Sequence, residues 1–369
     1  AEIARRYPAY DQEVQHFLAD DPLNTVRLAL GLTWASVQQD SAVPVYLAHA
    51  MGGGAEAYLQ GRIKADIAAG GSAVVLLGAL AAQNITLDRL TAAAHRVVHG
   101  GTILTQPARV TPEVIKAIES VIPLAPLHNP NNLAAMLALQ EAAPDLPQYC
   151  SFGTAFHATN PDVAVRYAIP QTQHDAGIRR YGFHGLSYAN MVADFGADLP
   201  PRLLAFHLGN GASLCAIKDG QSIATSMGYS PLSGLTMGTR SGDIDGAAVL
   251  RMSKSLGEDE TDRLLNKSSG LKALAGDNNM KTLLSRDDEE AKFAVEHFCY
   301  WAARHAGSAI VAMGGVDAVA FTGGIGENAD PIRNRIMEHL ACFADVTVHI
   351  IAADEEKQIA RDALGLINA

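Results

Sequence analysis

The stretch Leu203–Thr225, LLAFHLGNGASLCAIKDGQSIAT, decides the fold class. Its first apolar run ends in the glycine-rich triplet GNG at 209–211, and a second apolar run follows directly. The dipeptide DG at 219–220 is a hairpin turn signal, and a third short run comes after it. This order predicts a β-meander with strands over 203–208, 213–218 and 221–225.

A second unit of the same kind lies near the C-terminus. Ala318–Thr322 is an apolar run that leads into GGIG at 323–326, and a helix is predicted from about Pro331, since proline suits a first helical turn. Between the two units, residues 291–314 predict one long helix with small residues on one face. Short apolar runs that alternate with helical stretches predict an α/β protein.

The composition narrows the function classes. A chain of 369 residues with 18% charged residues is expected to form a soluble protein of two domains. The net charge of −11 comes without a basic stripe, so we expect no nucleic-acid partner. No apolar run approaches a membrane span and the charged first ten residues do not resemble a secretory signal, so we expect no membrane association. Four widely spaced cysteines suit reduced thiols in a cytoplasmic protein.

Several motifs combine glycines with charged or polar groups. Glycines at a turn let backbone N–H groups approach a phosphate closely, although GNG could also be an ordinary hairpin. GGIG at a strand-to-helix junction favours an anion at the helix N-terminus, while the dinucleotide fingerprint and the P-loop pattern are absent. Arg240, in MGTRSGDID, could bind a carboxylate or phosphate bidentately or form a surface salt bridge. Arg96 precedes two valines, so its charge needs a partner or a ligand. His184, in RRYGFHG, could be structural or catalytic.

Taken together in chain order, these motifs resemble those of the acetate kinases, members of the actin/Hsp70/sugar-kinase superfamily. The resemblance covers about residues 85–369 and includes HRVVHGG (95–101), APLHNP (125–130), TAFH (154–157), RRYGFHG (179–185), HLGNGAS (207–213), MGTRSGDID (237–245), MGGVDA (313–318), FTGGIGEN (321–328) and the DEE run at 354–356. It implies two ribonuclease-H-like α/β domains with a cleft between them, the first incomplete or altered. The domain boundaries that we predict are 1–75 for an atypical N-terminal segment, 76–152 plus 356–369 for domain I, and 153–355 for domain II.

The resemblance also implies an activity: reversible transfer of the ATP γ-phosphate to acetate or another short-chain carboxylate, with Mg²⁺, in a cytoplasmic homodimer. The catalytic residues that it implies are His184, Arg240 and Arg96. Arg96 would also bind the substrate, together with Val98, Leu127 and Pro231, and Glu355 would help to place the metal. The nucleotide contacts that it implies are His207, Leu208, Gly209, Asn210, Gly211, Asn279, Met280, Lys281, Gly324, Ile325, Gly326, Glu327 and Asn328.

Departures from the family pattern keep two alternatives open. Residues 1–94 lack the opening Asn-x-Gly-Ser-Ser-Ser-x-Lys motif, and Gly153 stands where the family has a functional aspartate. Milder departures are the Asn-Met-Lys run at 279–281, Tyr188 in place of a second histidine, and Gly246 in place of a proline. One alternative is a degenerate family member that binds nucleotide or a partner without turnover. The other is a nucleotide-sugar-binding N-terminal segment, since the glycine turn at 51–56 is expected to precede a helix.

Overall fold

The computed structural model describes residues 28–32, 45–49, 90–126, 128–343 and 346–369. The chain divides into two compact units, residues 1–94 with 138–148, and residues 95–137 with 149–369. In the first unit, strands β1 and β2 pair antiparallel, with Leu28 opposite His49. The glycine turn at 51–56 and the helix expected after it lie outside the described residues.

The strands and helices have the following bounds. The strands are β1 Leu28–Leu32, β2 Val45–His49, β3 Ala93–Val97, β4 Ala108–Arg109, β5 Gln148–Phe152, β6 Arg202–Leu208, β7 Ala212–Lys218, β8 Gln221–Thr225, β9 Ala318–Thr322 and β10 Thr347–Ile350. The α-helices are α1 Pro112–Ser120, α2 Asn129–Ala142, α3 Asp162–Val165, α4 Gln171–Asp175, α5 Gly185–Phe195, α6 Gly246–Leu256, α7 Glu258–Lys267, α8 Gly270–Ala275, α9 Met280–Ser285, α10 Glu289–Met313, α11 Gly323–Asn328, α12 Asp330–His339 and α13 Glu355–Ile367.

The second unit contains a five-stranded sheet in the order β10-β9-β6-β7-β8. Strands β6, β7 and β8 form the predicted antiparallel meander. Strand β9 runs parallel to β6 on its other side, with Leu203 opposite Ala318. The segments that follow β6 and β9 therefore leave the sheet at the same edge, which brings together the two glycine-rich motifs found in the sequence.

Helix α10 covers one face of this sheet. Ala291, Ala294, Phe298 and Ala302 recur at helical spacing and are almost completely buried. Small side chains on this face let the helix approach the sheet closely. The predicted helix over 291–314 is confirmed, and its start at Glu289 follows from Asp288, whose side chain accepts the Ala291 N–H and caps the helix.

The second unit also contains the paired strands β4 and β5, with Ala108 opposite Cys150. Val97, Ile118 and Phe152 form part of the small apolar core near these strands. Helix α2 begins at Asn129, and Pro130 is tolerated in its first turn.

Two expectations about the whole chain can be compared with the described residues. Within those residues, none of the helices combines the length and the apolar character that crossing a membrane requires. The four cysteines are free thiols, and Cys342 is the exposed one. Burial raises the pKa of Cys150, Cys215 and Cys299 to about 12, so these three thiols stay protonated and unreactive.

Candidate active site

The glycine loop, Gly209–Gly211, joins β6 to β7. Its first N–H donates to the carbonyl of its last residue at 2.9 Å, which closes a tight turn. The backbone carbonyl of Asn210 accepts the Gly238 N–H at 3.0 Å. The Asn210 side-chain Oδ1 accepts a hydrogen bond from Asn278 Nδ2 at 3.2 Å. The loop is therefore fixed against the segment that contains Arg240.

His184 immediately precedes helix α5 in a left-handed backbone conformation, with φ of 56°. Such a conformation costs a non-glycine residue about 1–3 kcal/mol and persists only where the surroundings impose it. The His184 ring stacks on the His207 ring, with centroids 4.1 Å apart. Its Nδ1 lies 2.8 Å from Ser213 Oγ, and Nδ1 of His207 lies 2.9 Å from Ser187 Oγ. Both imidazoles are thus held in one orientation.

The Arg240 side chain extends toward His184 and Gly211 from a separate loop. Its Nη1 donates to the Pro231 carbonyl at 2.8 Å and to Met237 Sδ at 3.4 Å. A Cβ on Gly211 would lie 3.5 Å from Arg240 Nη2 and 3.3 Å from His184 Nε2. The absence of a side chain at Gly211 therefore leaves the space in front of both groups open.

The electrostatics of this cluster favour an anion. Burial lowers the pKa of His184 well below its ordinary value, and His207, Arg240 and Arg96 lower it further. Burial also lowers the pKa of His207 and of Arg240, although a guanidinium stays charged at neutral pH. Among the described residues, no Asp or Glu forms an ion pair with Arg240. A buried cation without a carboxylate partner is costly unless an anionic ligand neutralises it.

Arg96 and Glu355 join strand β3 to the start of helix α13. Arg96 Nε donates to Glu355 Oε2 at 2.8 Å, and both side chains are mostly buried. Glu356 follows in the same turn, and its pKa is raised by burial and by the neighbouring Glu355 carboxylate. The predicted substrate arginine and the predicted metal carboxylate are therefore in contact with each other.

The residues predicted for the acyl group are partly described. Val98 packs against the apolar cluster that contains Phe183, and its N–H donates to Asn132 Oδ1 at 3.2 Å. Pro231 is tied to Arg240 through its carbonyl. Leu127 lies outside the described residues. Phe183 was not singled out from the sequence, although its position directly before His184 was a signal that could have identified it.

The three residues at 279–281 have distinct environments. The Asn279 side chain caps helix α9 by accepting the N–H groups of Lys281 and Thr282 at 3.0 and 3.3 Å. The Met280 side chain is packed in the core, with 4% of its surface exposed, whereas Lys281 is exposed. The Met280 side chain therefore cannot contact a nucleotide without a rearrangement.

The second glycine segment, Gly323–Asn328, forms the short helix α11 directly after β9, whereas the sequence predicts a helix only from about Pro331. The Glu327 carboxylate stabilises the start of this helix, because it accepts the Gly323 N–H at 3.0 Å and the Ala353 N–H at 2.9 Å. Asn328 Nδ2 donates to the Gly324 carbonyl at 2.9 Å. Glu327 and Asn328 thus stabilise the helix through hydrogen bonds, whereas Gly324 is exposed.

Gly153 lies where three backbone segments meet. Its N–H donates to the Val97 carbonyl and its carbonyl accepts the Gly185 N–H, each at 2.8 Å. A Cβ at this position would lie 2.9 Å from the Val98 carbonyl oxygen. The backbone of Gly153 therefore links the strand that contains Arg96 to the helix that follows His184, at a separation that suits a residue without a side chain.

Comparison with known proteins identifies the family. The family model described as "Acetokinase family" matches residues 54–363. The chain belongs to the acetokinase family. The match extends toward the N-terminus, beyond the resemblance that begins near residue 85.

Solved structures and curated relatives agree with this assignment. The chain is 42% identical over 306 residues to the acetate kinase of Methylocella silvestris, across 76% of each chain. It is similar to a propionate kinase structure from Francisella tularensis, with a TM-score of 0.73, 35% identity, and coverage of 79% and 86% of the two chains. It is also similar to an acetate kinase structure from Porphyromonas gingivalis, with a TM-score of 0.73, 32% identity, and coverage of 80% and 87% of the two chains. The predicted α/β fold of the actin-like superfamily is thus confirmed.

Proposed function

We propose that this chain catalyses reversible transfer of the ATP γ-phosphate to acetate, giving acetyl phosphate and ADP. Its membership of the acetokinase family and its curated acetate kinase relatives support this activity. The structural observation that carries the proposal is the partly buried Arg240 guanidinium. It has no carboxylate partner among the described residues, and it faces the glycine loop beside His184.

In the proposed reaction, a carboxylate oxygen of acetate attacks the γ-phosphorus of ATP. The new oxygen–phosphorus bond forms while the bond to the β,γ-bridging oxygen breaks, and the electron pair leaves on ADP. No proton transfer is required, so positioning and charge neutralisation supply the catalysis. Arg96 and Arg240 would hold the carboxylate and the transferring group, and the glycine loop would supply N–H groups to the ATP phosphates.

Magnesium is proposed as the cofactor, carried by the nucleotide. Of the residues that the structure describes, no three His, Cys, Asp or Glu side chains are grouped so that they could hold a metal ion. Proteins commonly bind Mg²⁺ through one or two carboxylates plus substrate phosphates and water. Glu355 would be that carboxylate, with one oxygen on Arg96 and the other available. When bound, the ion would neutralise phosphate charge.

The direct test is acyl phosphate formation from ATP, Mg²⁺ and acetate, trapped with hydroxylamine, with propionate and butyrate as competing acids. We expect hydroxamate with acetate, and none when the metal is chelated. Nucleotide binding without hydroxamate for any acid would overturn the proposed activity. It would favour the alternative that Gly153 suggests, a degenerate family member that binds nucleotide without turnover.

Gly153 itself gives a separate prediction. Because a Cβ would meet the Val98 carbonyl, Gly153→Ala and Gly153→Asp should each destabilise the protein by about 1–3 kcal/mol. A carboxylate near the Mg²⁺·ATP complex should nevertheless give Gly153→Asp a higher kcat than Gly153→Ala, which adds only the Cβ. Thermal unfolding and the hydroxamate assay measure the two effects. Equal kcat values in the two variants would refute a role for a carboxylate at this position.

The assembly and the location are further parts of the proposal. Phe293, Tyr300 and Val311 of α10 are large apolar side chains that are more than half exposed, and we propose a homodimer that covers them. Sedimentation equilibrium at the mass of one chain would contradict it.

Free, buried thiols support a cytoplasmic location, which cell fractionation would test.

A further inference from the structure

A chain of two hydrogen bonds leads from helix α5 to the candidate catalytic histidine. Tyr188 Oη lies 2.6 Å from Ser213 Oγ, and Ser213 Oγ lies 2.8 Å from His184 Nδ1. Tyr188 and Ser213 are both completely buried. Water therefore does not compete for the hydroxyl groups of Tyr188 and Ser213.

The direction of the two bonds follows from the donors available. Burial raises the pKa of Tyr188 well above its ordinary value, so the phenol keeps its proton. Among the described residues, Ser213 Oγ is the hydrogen-bond acceptor in reach of that proton. A serine hydroxyl carries a single proton. If Ser213 accepts from Tyr188, its own proton points to His184, and Nδ1 of His184 is the acceptor.

The other ring nitrogen then has a defined role. His184 is neutral, since burial and the nearby His207, Arg240 and Arg96 disfavour an imidazolium. A neutral imidazole that accepts at Nδ1 carries its proton on Nε2. Nε2 lies 3.3 Å from the point where a Cβ of Gly211 would stand. The N–H therefore faces the glycine loop and the space in front of Arg240.

We propose that Tyr188 is a positioning residue, which acts through Ser213 to hold His184 as the tautomer with its proton on Nε2. The inference rests on the proposed function, since its purpose is to present a hydrogen-bond donor to the transferring phosphoryl group. The opposite tautomer would direct a lone pair at the anionic oxygens. Ser187 makes an equivalent contact to Nδ1 of the stacked His207, so both imidazoles have a serine hydroxyl on the same nitrogen.

The kinetic test uses three full-length variants. Tyr188→Phe keeps the ring and removes the donor, and we expect kcat to fall about three- to tenfold, the effect of one hydrogen bond, with KM unchanged. Tyr188→His restores an N–H donor and should recover most of the loss. Tyr181→Phe is the matched control, since it removes a hydroxyl that donates to the Gly177 carbonyl at 3.0 Å, away from Ser213. A kcat for Tyr188→Phe equal to that of the control would overturn the proposal.

The spectroscopic test does not depend on turnover. In protein labelled with ¹⁵N-histidine, His184→Gln assigns the His184 resonances, whose ¹⁵N shifts distinguish protonated from unprotonated ring nitrogens. We expect Nε2 protonated and Nδ1 unprotonated in the unaltered chain, and the two shifts should approach each other in Tyr188→Phe. A proton on Nδ1 in the unaltered chain would overturn the assignment. If the unaltered chain forms no acyl phosphate, the proposed function fails, whereas the tautomer is still decided by these shifts.

Discussion

Replacing Arg240 with alanine should lower kcat for acyl phosphate formation by about a thousandfold, the usual magnitude for an arginine that neutralises a transferring phosphoryl group. The expectation follows from its partial burial and from its neutral protein contacts, the Pro231 carbonyl and the Met237 sulfur. Its charge is available for a ligand. The same variant should not lose thermal stability in the absence of substrate, because the change removes a desolvated cation that has no carboxylate partner among the described residues.

Two further variants separate charge from geometry at this position. Arg240→Lys keeps the charge without the planar fork and should recover only part of the rate. Added guanidinium should partly rescue Arg240→Ala. Arg263→Ala is the control, since Arg263 forms an exposed pair with Glu260 and should leave kcat unchanged. A marked drop in Tm for Arg240→Ala together with a small change in kcat would show that Arg240 is structural.

The protein should lose stability in mild acid because of two buried histidines. Burial lowers the pKa of His99 and of His157 from 6.5 to about 4. The unfolded chain therefore takes up protons first as the pH falls, so stability is complete above about pH 6.5 and is lost progressively toward pH 4. Between pH 7.5 and pH 5, each histidine should remove about 2 kcal/mol from the free energy of unfolding. Urea unfolding at a series of pH values measures this slope.

His157 offers the matched comparison for the acid effect. Its ring bonds the Ser222 hydroxyl at 2.8 Å and the Phe183 carbonyl at 2.9 Å. His157→Gln keeps polar groups in place but cannot titrate, so this variant should be less stable at pH 7.5 yet show a shallower loss between pH 7.5 and pH 5. Parallel slopes for the two proteins would mean that His157 does not cause the acid sensitivity.

The sequence predicted those parts of the fold that depend on neighbouring residues. The meander follows from alternating apolar runs and a DG turn, and the bounds of β9 follow from one apolar run before GGIG. The residues that the resemblance proposes for the site include Arg96, His184, His207 and Glu355, which lie in distinctive motifs. Their assembly into one cluster, with the Arg96–Glu355 ion pair, needed the three-dimensional structure.

Other features depended on contacts that no local pattern encodes. Tyr188 was noted only as a departure from the family, and its bond to Ser213 arises because α5 packs beside β7. Gly153 was interpreted as a missing carboxylate, whereas its backbone contacts explain why a side chain there would be crowded. Met280 was assigned to the nucleotide by its position in a motif, although its side chain belongs to the core. Each difference comes from packing between segments distant in the chain.

The parallel pairing of β6 with β9 has a consequence for ligand-linked stability. Leu203 pairs with Ala318, more than one hundred positions later, so this contact closes a long loop of the second unit, and loop closure carries an entropic cost. A nucleotide that touches both the glycine loop and α11 would hold the two ends of that loop together. Part of its binding energy would then appear as resistance to unfolding, because a ligand that binds only the folded chain shifts the equilibrium by mass action.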